Sequence, residues 1–479
     1  MMKYFKYILP LLLIAISIKP ARGQNADSVL TLKQCLDIAI KNNLLVKQSE
    51  IQVETSRISY QQARENLLPN LNGDITHSLS DGRSLNPFTN GYLNQQITSG
   101  NYSLSSSVVL SNGLTLQNSI RQTSLAYQAG KMDFQQAKDN LTLNLITAYL
   151  QVLSNEDQLT QANTQAGVSK NQLARLQILD KDGAVTPSQL YDLKGQYATD
   201  QLSVVNAKNA VDISKLTLLQ LMNVPYNKNV QLQRQASDQL PSVYVNTADD
   251  IYQKALSDLA YVKAATLRRE SAEKGVQVAK GALLPTLSLS GSLGTNYSSA
   301  ATRSSFVDSS VVPTNTFINT PGGGRQSVYT VQQNYNTANI NWADQFKNNY
   351  GTSISLGLSI PILNYFQNKN KVALAKLNLR NAQYIEQNTR IQLRQNVDQA
   401  YANMTAAFER YQLLTDQVGA FGESFRIAEV RFNSGVLTSV DFLVVKGNLD
   451  RAKVNLISAR YDYLIRSKIL DYYQGRLAL

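Results

Sequence analysis

From Leu393 to Phe432, alternating steps of four and three residues land on Leu393, Val397, Ala400, Met404, Ala407, Tyr411, Leu414, Val418, Phe421, Phe425, Ala428 and Phe432. All twelve are apolar, and a seam sustained in this way predicts a helix packed lengthwise on its neighbours. Shifted back by 252 residues, the same steps give Leu141, Leu145, Ala148, Val152, Asn155, Leu159, Ala162, Ala166, Ser169, Leu173, Leu176 and Asp180, nine of them apolar. One long helix therefore occurs twice, predicted over about 113–181 and about 366–433. At 1.5 Å per residue each would be about 100 Å long.

Each long helix is followed by a stop, a turn and a restart. Asp182-Gly183-Ala184-Val185-Thr186-Pro187-Ser188 supplies a terminating glycine, a capping threonine or serine and a helix-starting proline. Ser434-Gly435-Val436-Leu437-Thr438-Ser439 does the same at an offset of 252, and Lys194-Gly195 matches Lys446-Gly447. Return helices are predicted over about 188–222 and about 439–473.

Ahead of the long helices the period changes to two. Leu71, Gly73, Ile75, His77 and Leu79 alternate with Asn72, Asp74, Thr76, Ser78 and Ser80, and a second alternation puts Tyr102, Leu104, Ser106, Val108 and Leu110 on one face. Two strands of this length predict a tilted transmembrane β-hairpin over about 71–110. A second hairpin over about 287–362 carries Leu287, Leu289, Gly291 and Leu293, then Tyr350 to Ile362 in steps of two. It holds 36 extra residues between about 298 and 349, rich in Ser, Thr, Asn, Gly and Tyr, expected to be a long loop on the outer side of a barrel. Tyr102, Tyr297, Tyr350 and Trp342 are expected in an interfacial aromatic girdle. Each hairpin follows a helix pair: Thr31 caps one helix to Asn42, and another runs from about Leu44 to Leu68 before Pro69. An offset of 216 superposes Thr31 on Thr247 and Leu67-Leu68-Pro69 on Leu283-Leu284-Pro285. The chain reads as two structural repeats, 24–246 and 247–479.

Composition narrows the setting. Lys3 and Lys6, an apolar run from Tyr7 to Ile18 and the small-residue exit Ala21-Arg22-Gly23 predict a signal peptide over 1–23. Its removal lowers the net charge from +12 to +8, spread along helices without a run of like charges, which argues against nucleic acid as a partner. No later apolar run reaches the ~18 residues of a transmembrane helix. One cysteine, Cys35, excludes an intrachain disulfide, and one histidine with no phosphate loop argues against an enzyme or a bound cofactor or metal. Cys35 aligns with Ile251, which makes it a packing residue.

Four strands cannot close a barrel, and lipid forbids an open sheet edge. Copies must associate, giving eight strands in a dimer, twelve in a trimer or sixteen in a tetramer. Each version continues a transmembrane barrel with a helical cylinder, a mixed α/β membrane protein that acts as a conduit.

The doubled order of elements, the Leu-Leu-Pro strand entries, the start Thr31-Leu32-Lys33-Gln34-Cys35-Leu36-Asp37-Ile38-Ala39 and the turn from Gly435 to Leu443 resemble the TolC-like outer-membrane efflux family over essentially the whole mature chain. The resemblance implies a homotrimer in outer-membrane lipid, a twelve-stranded barrel and a twelve-helix periplasmic tunnel. It also implies a periplasmic adaptor (membrane fusion) protein and an inner-membrane transporter, in efflux or type I secretion. The turns would form a periplasmic tip that gates the tunnel, with Gly183, Val185, Thr186, Gly435, Val436 and Thr438 meeting the adaptor. Asp441 matches the first acid of the family's gate pair, and Val444 stands at the second position. Phe432 occupies the aromatic position without a hydroxyl, Leu437 stands where some members carry a locking arginine, and Gln189 is the first-repeat equivalent of Asp441. These residues predict an apolar constriction with at most one acidic ring. Asp441 reads equally as an acid stabilising a helix start. The rival from another class is a soluble periplasmic coiled-coil adaptor, which explains the heptads but not the alternating strands.

Overall fold

The computed structural model describes residues 29–85, 90–94, 96–234 and 244–476; the expected signal peptide lies outside them. The elements in chain order are α1 (Leu32–Asn42), α2 (Leu44–Glu65), β1 (Asn70–Ser80), β2 (Arg83–Leu85), β3 (Tyr92–Asn94), β4 (Ile97–Ser111), α3 (Thr115–Lys181) and α4 (Pro187–Leu221). Then follow α5 (Ala248–Asp258), α6 (Ala260–Gly281), β5 (Thr286–Ser298), β6 (Thr302–Asn319), β7 (Arg325–Asn339), α7 (Trp342–Asn348), β8 (Gly351–Ser359), α8 (Gln367–Asn433) and α9 (Ser439–Tyr473). Helices in corresponding places have equal lengths: 11 residues in α1 and α5, 22 in α2 and α6, 67 in α3 and α8, 35 in α4 and α9. Among the described residues no helix is long and apolar enough to cross a membrane.

The chain divides into two compact units, with the boundary inside α2, α3, α6 and α8. The first comprises the described parts of Met1–Ser56, Ala126–Arg269 and Asn381–Leu479. Here all twelve seam positions of α8 are buried or half-buried, and of the α3 positions only Asp180 is exposed. Cys35, Leu36 and Ala39 of α1 pack with Leu141, Leu145, Tyr149 and Val152 of α3 and Leu218 of α4. Ile251 and Ala255 of α5 pack likewise with Leu393 and Val397 of α8 and Leu470 of α9. Cys35 is fully buried, and desolvation pushes its thiol up to about 11, so it stays protonated and apolar. The starts of α1 and α5 are fixed by reciprocal caps, Thr31 with Gln34 and Thr247 with Asp250. Burial alone would raise the Glu386 carboxyl, but hydrogen bonds from Arg390 and Thr266 and the charge of Arg269 hold it below its ordinary value, tying α6 to α8.

The second unit, Arg57–Leu125 with Glu270–Arg380, holds the strands. The antiparallel sheet runs β1-β4-β5-β8, leaving β1 and β8 as edges. Its register sorts the side chains by face, because directly paired residues share one. The pairs Ile75 with Tyr102, Val108 with Leu289, Gly291 with Ile354 and Leu289 with Leu356 share an apolar face. The opposite face is a field of hydroxyls, with Ser78 to Ser99 at 2.7 Å, Ser290 to Ser355 at 2.9 Å and Ser292 to Ser353 at 2.8 Å.

Three expectations for this unit need correcting. The stretch expected as a loop, about 298–349, is mostly regular: β6 and β7 form their own two-stranded sheet, and α7 follows. Its low hydrophobicity concealed a period of two that is polar on one face. Strand β8 ends at Ser359 instead of running to Ile362, because Pro361 offers no N–H to a ladder. A bulge between Val109 and Ser111 leaves Leu110 without a cross-strand partner. In addition α2 stops at Glu65, ahead of Leu68, and a small β2–β3 hairpin occupies part of the first loop. Tyr102 lies inside β4, where it receives a 3.1 Å hydrogen bond from the Trp342 indole and an edge contact from Phe346. Helix α7 thus rests on the apolar face, held by Gln345, which bonds both Ser298 backbone groups at 2.9 Å.

Candidate functional site: the paired helical turns

Both turns lie in the first unit and are built alike. At the end of α3, Gly183 has φ 64° and donates to Asp180 O (3.0 Å), while Ala184 donates to Leu179 O (2.9 Å). At the end of α8, Gly435 has φ 72° and donates to Phe432 O (3.1 Å), while Val436 donates to Arg431 O (2.9 Å). Each turn closes its helix's last carbonyls through a left-handed residue that glycine adopts without strain. Restarts are capped in parallel. Thr186 N–H donates to the Gln189 side chain at 3.3 Å. Thr438 accepts from Asp441 N–H at 3.1 Å and donates its hydroxyl to Asp441 Oδ2 at 2.7 Å. Gln189 and Asp441 thus both serve as third-residue partners of a helix cap.

Between the hairpins is an apolar cluster of Leu173, Leu176, Leu193, Phe432 and Phe442, flanked by Val185, Leu437 and Phe425. Phe432 stacks on Phe442 with centroids 4.5 Å apart and planes 13° apart. Leu437, in the family's arginine position, packs against this cluster, whereas Val444 and Val436 are exposed. Of the expected residues, Phe432, Leu437 and Val185 are brought together, while Gly183, Thr186, Gly435, Val436 and Thr438 form the exposed rims of the turns.

Sequence reading missed what locks the hairpins to each other. Ser439, almost fully buried, donates to Asp192 Oδ2 at 2.9 Å, and Arg175 bonds Asn433 at the end of α8. Further along, Lys446 of α9 is 2% exposed and bonds Asp200 Oδ2 of α4 at 2.9 Å and Asp450 Oδ2 at 2.7 Å. Asp200 also accepts from Ser169 of α3 (2.5 Å) and Gln196 (2.8 Å). Burial pushes the Asp450 carboxyl above its ordinary value against the pull of Lys446. Lys194, the counterpart of Lys446, is exposed and lies over the Tyr191 ring, so the node exists once per chain. The available signal was the spacing of Lys446 and Asp450, one helical turn apart. Among the described residues no cluster of His, Cys, Asp and Glu could hold a metal.

An antiparallel sheet with one apolar face and two open edges, in a chain whose two long helices end in twinned turns, fits a class: conduits of the outer membrane. The comparisons agree. The family model described as "Outer membrane efflux protein" matches residues 35–224 and 251–476, and the chain belongs to that family. The outer membrane protein TolC of Escherichia coli (strain K12) is 25% identical over 428 residues, covering 87% of this chain and 76% of that protein. The outer membrane protein VceC of Vibrio cholerae has the same fold, with a TM-score of 0.72 at 13% identity over 93% of this chain and 96% of that one. The CmeC outer membrane channel of Campylobacter jejuni gives 0.71 at 17% identity over 95% and 90%. The protein is an outer-membrane efflux channel with a periplasmic extension; it is neither an enzyme nor a soluble adaptor.

Proposed function

We propose that this chain forms a homotrimeric exit duct in which three four-stranded sheets close a twelve-stranded barrel and the helices continue it as a periplasmic tunnel. The observation that carries this reading is the pair of long unpaired edges, β1 and β8, on a sheet whose apolar face suits lipid. Each edge presents backbone groups that hydrocarbon cannot satisfy, so β8 of one copy pairs with β1 of the next. The two family matches and the equal helix lengths support a duplicated chain. A periplasmic adaptor and an inner-membrane transporter complete the path, with the adaptor meeting Gly183, Val185, Thr186, Gly435, Val436 and Thr438. The purified protein is expected to need detergent, to migrate as an oligomer that collapses to monomer on heating, and to conduct ions in planar bilayers. Recovery in the soluble periplasmic fraction would sink the reading.

The tip gate is then an apolar latch formed by Phe432 and Leu437, with the Asp441 carboxylate committed to its helix cap and Gln189 to the other. In the barrel, Asp74 is the one carboxylate of β1, β4, β5 and β8, and it lies on the hydroxyl face with Asn72 and Thr76. That face lines the lumen, where an unneutralised charge attracts cations within about a Debye length, ~10 Å at 0.1 M salt. Asp74→Asn is expected to move the reversal potential in a salt gradient toward zero, whereas Asp441→Asn leaves it in place. The opposite pattern would restore an acidic ring at the tip.

A further inference from the structure

Helix α7 lies where β4 begins and β5 ends, at the end of the strands away from the chain's entry into α3. Besides the Gln345 bonds, the Thr295 hydroxyl of β5 donates to Phe346 O at 3.0 Å, and Asn349 just after the helix donates to Asn296 O at 2.9 Å. The Tyr102 ring leans over Gly100, where a Cβ would come within 2.9 Å of its hydroxyl. That hydroxyl accepts the Trp342 N–H. Trp342 and Phe346, one turn apart, stack with centroids 4.9 Å apart and planes at 27°, yet they remain 47% and 41% exposed. With 3.6 residues per turn, Asp344 and Lys347 fall on the opposite side of the helix, and both are exposed. The helix is amphipathic.

The apolar face that α7 rests on is bare beyond it. Strands β1, β4, β5 and β8 hold a single charged residue, Asp74, and it lies on the hydroxyl face. Ile75, Ile354 and Leu356 on the apolar face are mostly exposed. On β5 this face runs from Leu287 through Leu289 and Leu293 to Thr295, the residue that α7 sits on. The eight residues from Leu287 to Thr295 cover about 27 Å along the strand. At a strand tilt of about 40° that is roughly 20 Å along the membrane normal, close to the ~25 Å apolar band of an outer-membrane barrel. Helix α7 therefore marks one boundary of the band.

We propose that α7 is an interfacial anchor, with Trp342 and Phe346 seated where lipid acyl chains meet headgroups, fixing the depth of the barrel in the bilayer. The inference rests on the reading above that the apolar face meets lipid. Continuity selects the occupant: the two rings extend the same exposed face, and no charged residue intervenes. Copies joined at β1 and β8 meet the sheet's edges, whereas α7 is bonded to the two inner strands, so a neighbouring copy leaves it facing outward. The indole N–H is already satisfied by Tyr102, so the ring meets acyl chains without an unpaired donor. Its rings resist movement toward water, and Asp344 and Lys347 on the other side resist movement into hydrocarbon.

Trp342 is the chain's single tryptophan, so its fluorescence reports on α7 alone. The test uses the purified oligomer in phosphatidylcholine vesicles whose acyl chains carry bromine near the carbonyl end or near the methyl end. Trp342 is expected to lose emission mainly to the shallow bromines and to be insensitive to aqueous iodide. Ile354→Trp, in a Trp342→Phe background, is expected to lose emission mainly to the deep bromines, because Ile354 pairs with Gly291 midway between Leu287 and Thr295. Replacing both rings (Trp342→Ser with Phe346→Ser) should lower the deep-to-shallow quenching ratio at Ile354→Trp. Heat-modifiable migration is scored on the same samples. Quenching of Trp342 by iodide, mainly by deep bromines or by neither bromine overturns the anchor alone if Ile354→Trp behaves as expected. An unchanged ratio in the double-serine variant does the same. An intact oligomer in which bromine reaches neither tryptophan overturns the lipid-facing reading together with the anchor.

Discussion

Lys446→Met is expected to destabilise the helical hairpins by about 3–5 kcal/mol, the range for breaking a buried ion pair from one side. The lysine is 2% exposed and Asp200 5% exposed, so solvent cannot take over the lost charge. Two carboxylates, Asp200 and Asp450, would be left facing each other without the cation that bonds both. Losing the positive charge pushes the Asp450 carboxyl, already held above its ordinary value by burial, further up. A carboxyl with a raised folded pKa destabilises above that pKa and ceases to do so as pH falls toward its unfolded value, because the folded state then binds the extra proton. The defect is therefore expected to be largest at neutral pH and to shrink on acidification. Thermal unfolding of the purified oligomer at both pH values measures it. Adding Asp200→Asn should restore most of the loss, since it removes the buried charge that Lys446→Met strands. Equal melting of wild type and Lys446→Met at neutral pH would show that the node is not structural.

The helical architecture was legible because its signals are repeated and long. A seam such as Leu393 to Phe432 is a geometric statement about one side of a helix, and Gly183 and Gly435 mark turns that only a left-handed residue closes. The strand faces were legible for the same reason, from Leu71 through Leu79 against Asn72 through Ser80. The β6–β7 ribbon was not, because Ser, Thr and Asn dominate its polar face and two bulges, near Val307 and after Pro313, break the alternation. Nor was the tip's interior. Lys446 and Asp200 are 246 residues apart, and pairing them needs the packing of α4 on α9, which no local pattern encodes. Asp441 reads from sequence as either a gate acid or a helix-start acid, and its bonds with Thr438, like that of Gln189 with Thr186, are what distinguish a cap from a free side chain. Ser439 and Asp192 form a cross-hairpin bond from two residues whose types alone suggest ordinary surface.

Phe442→Ala is expected to cost about 3–5 kcal/mol, the range for truncating a buried phenylalanine, and to act at the turns specifically. Phe442 is fully buried, stacked on Phe432 and 5.7 Å from Phe425, so its ring joins α9 to the end of α8, and Leu173, Leu176 and Leu193 of the other hairpin close around it. Removing it leaves a cavity bordered by both hairpins, and the rigid cap geometry at Thr438 prevents α9 from collapsing into it. The aromatic pair adds about 0.5–1.5 kcal/mol of coupling with Phe432, which a double-mutant cycle with Phe432→Ala isolates. Limited proteolysis near Gly435 should accelerate in Phe442→Ala, because local opening of the turn becomes cheaper, and single-channel conductance should rise. Val444→Ala, at an exposed position one turn from Asp441, is expected to change stability by no more than about 0.5 kcal/mol. If Phe442→Ala leaves proteolysis and conductance unchanged while Asp441→Asn alters both, the tip is held by charge, and the apolar latch is wrong.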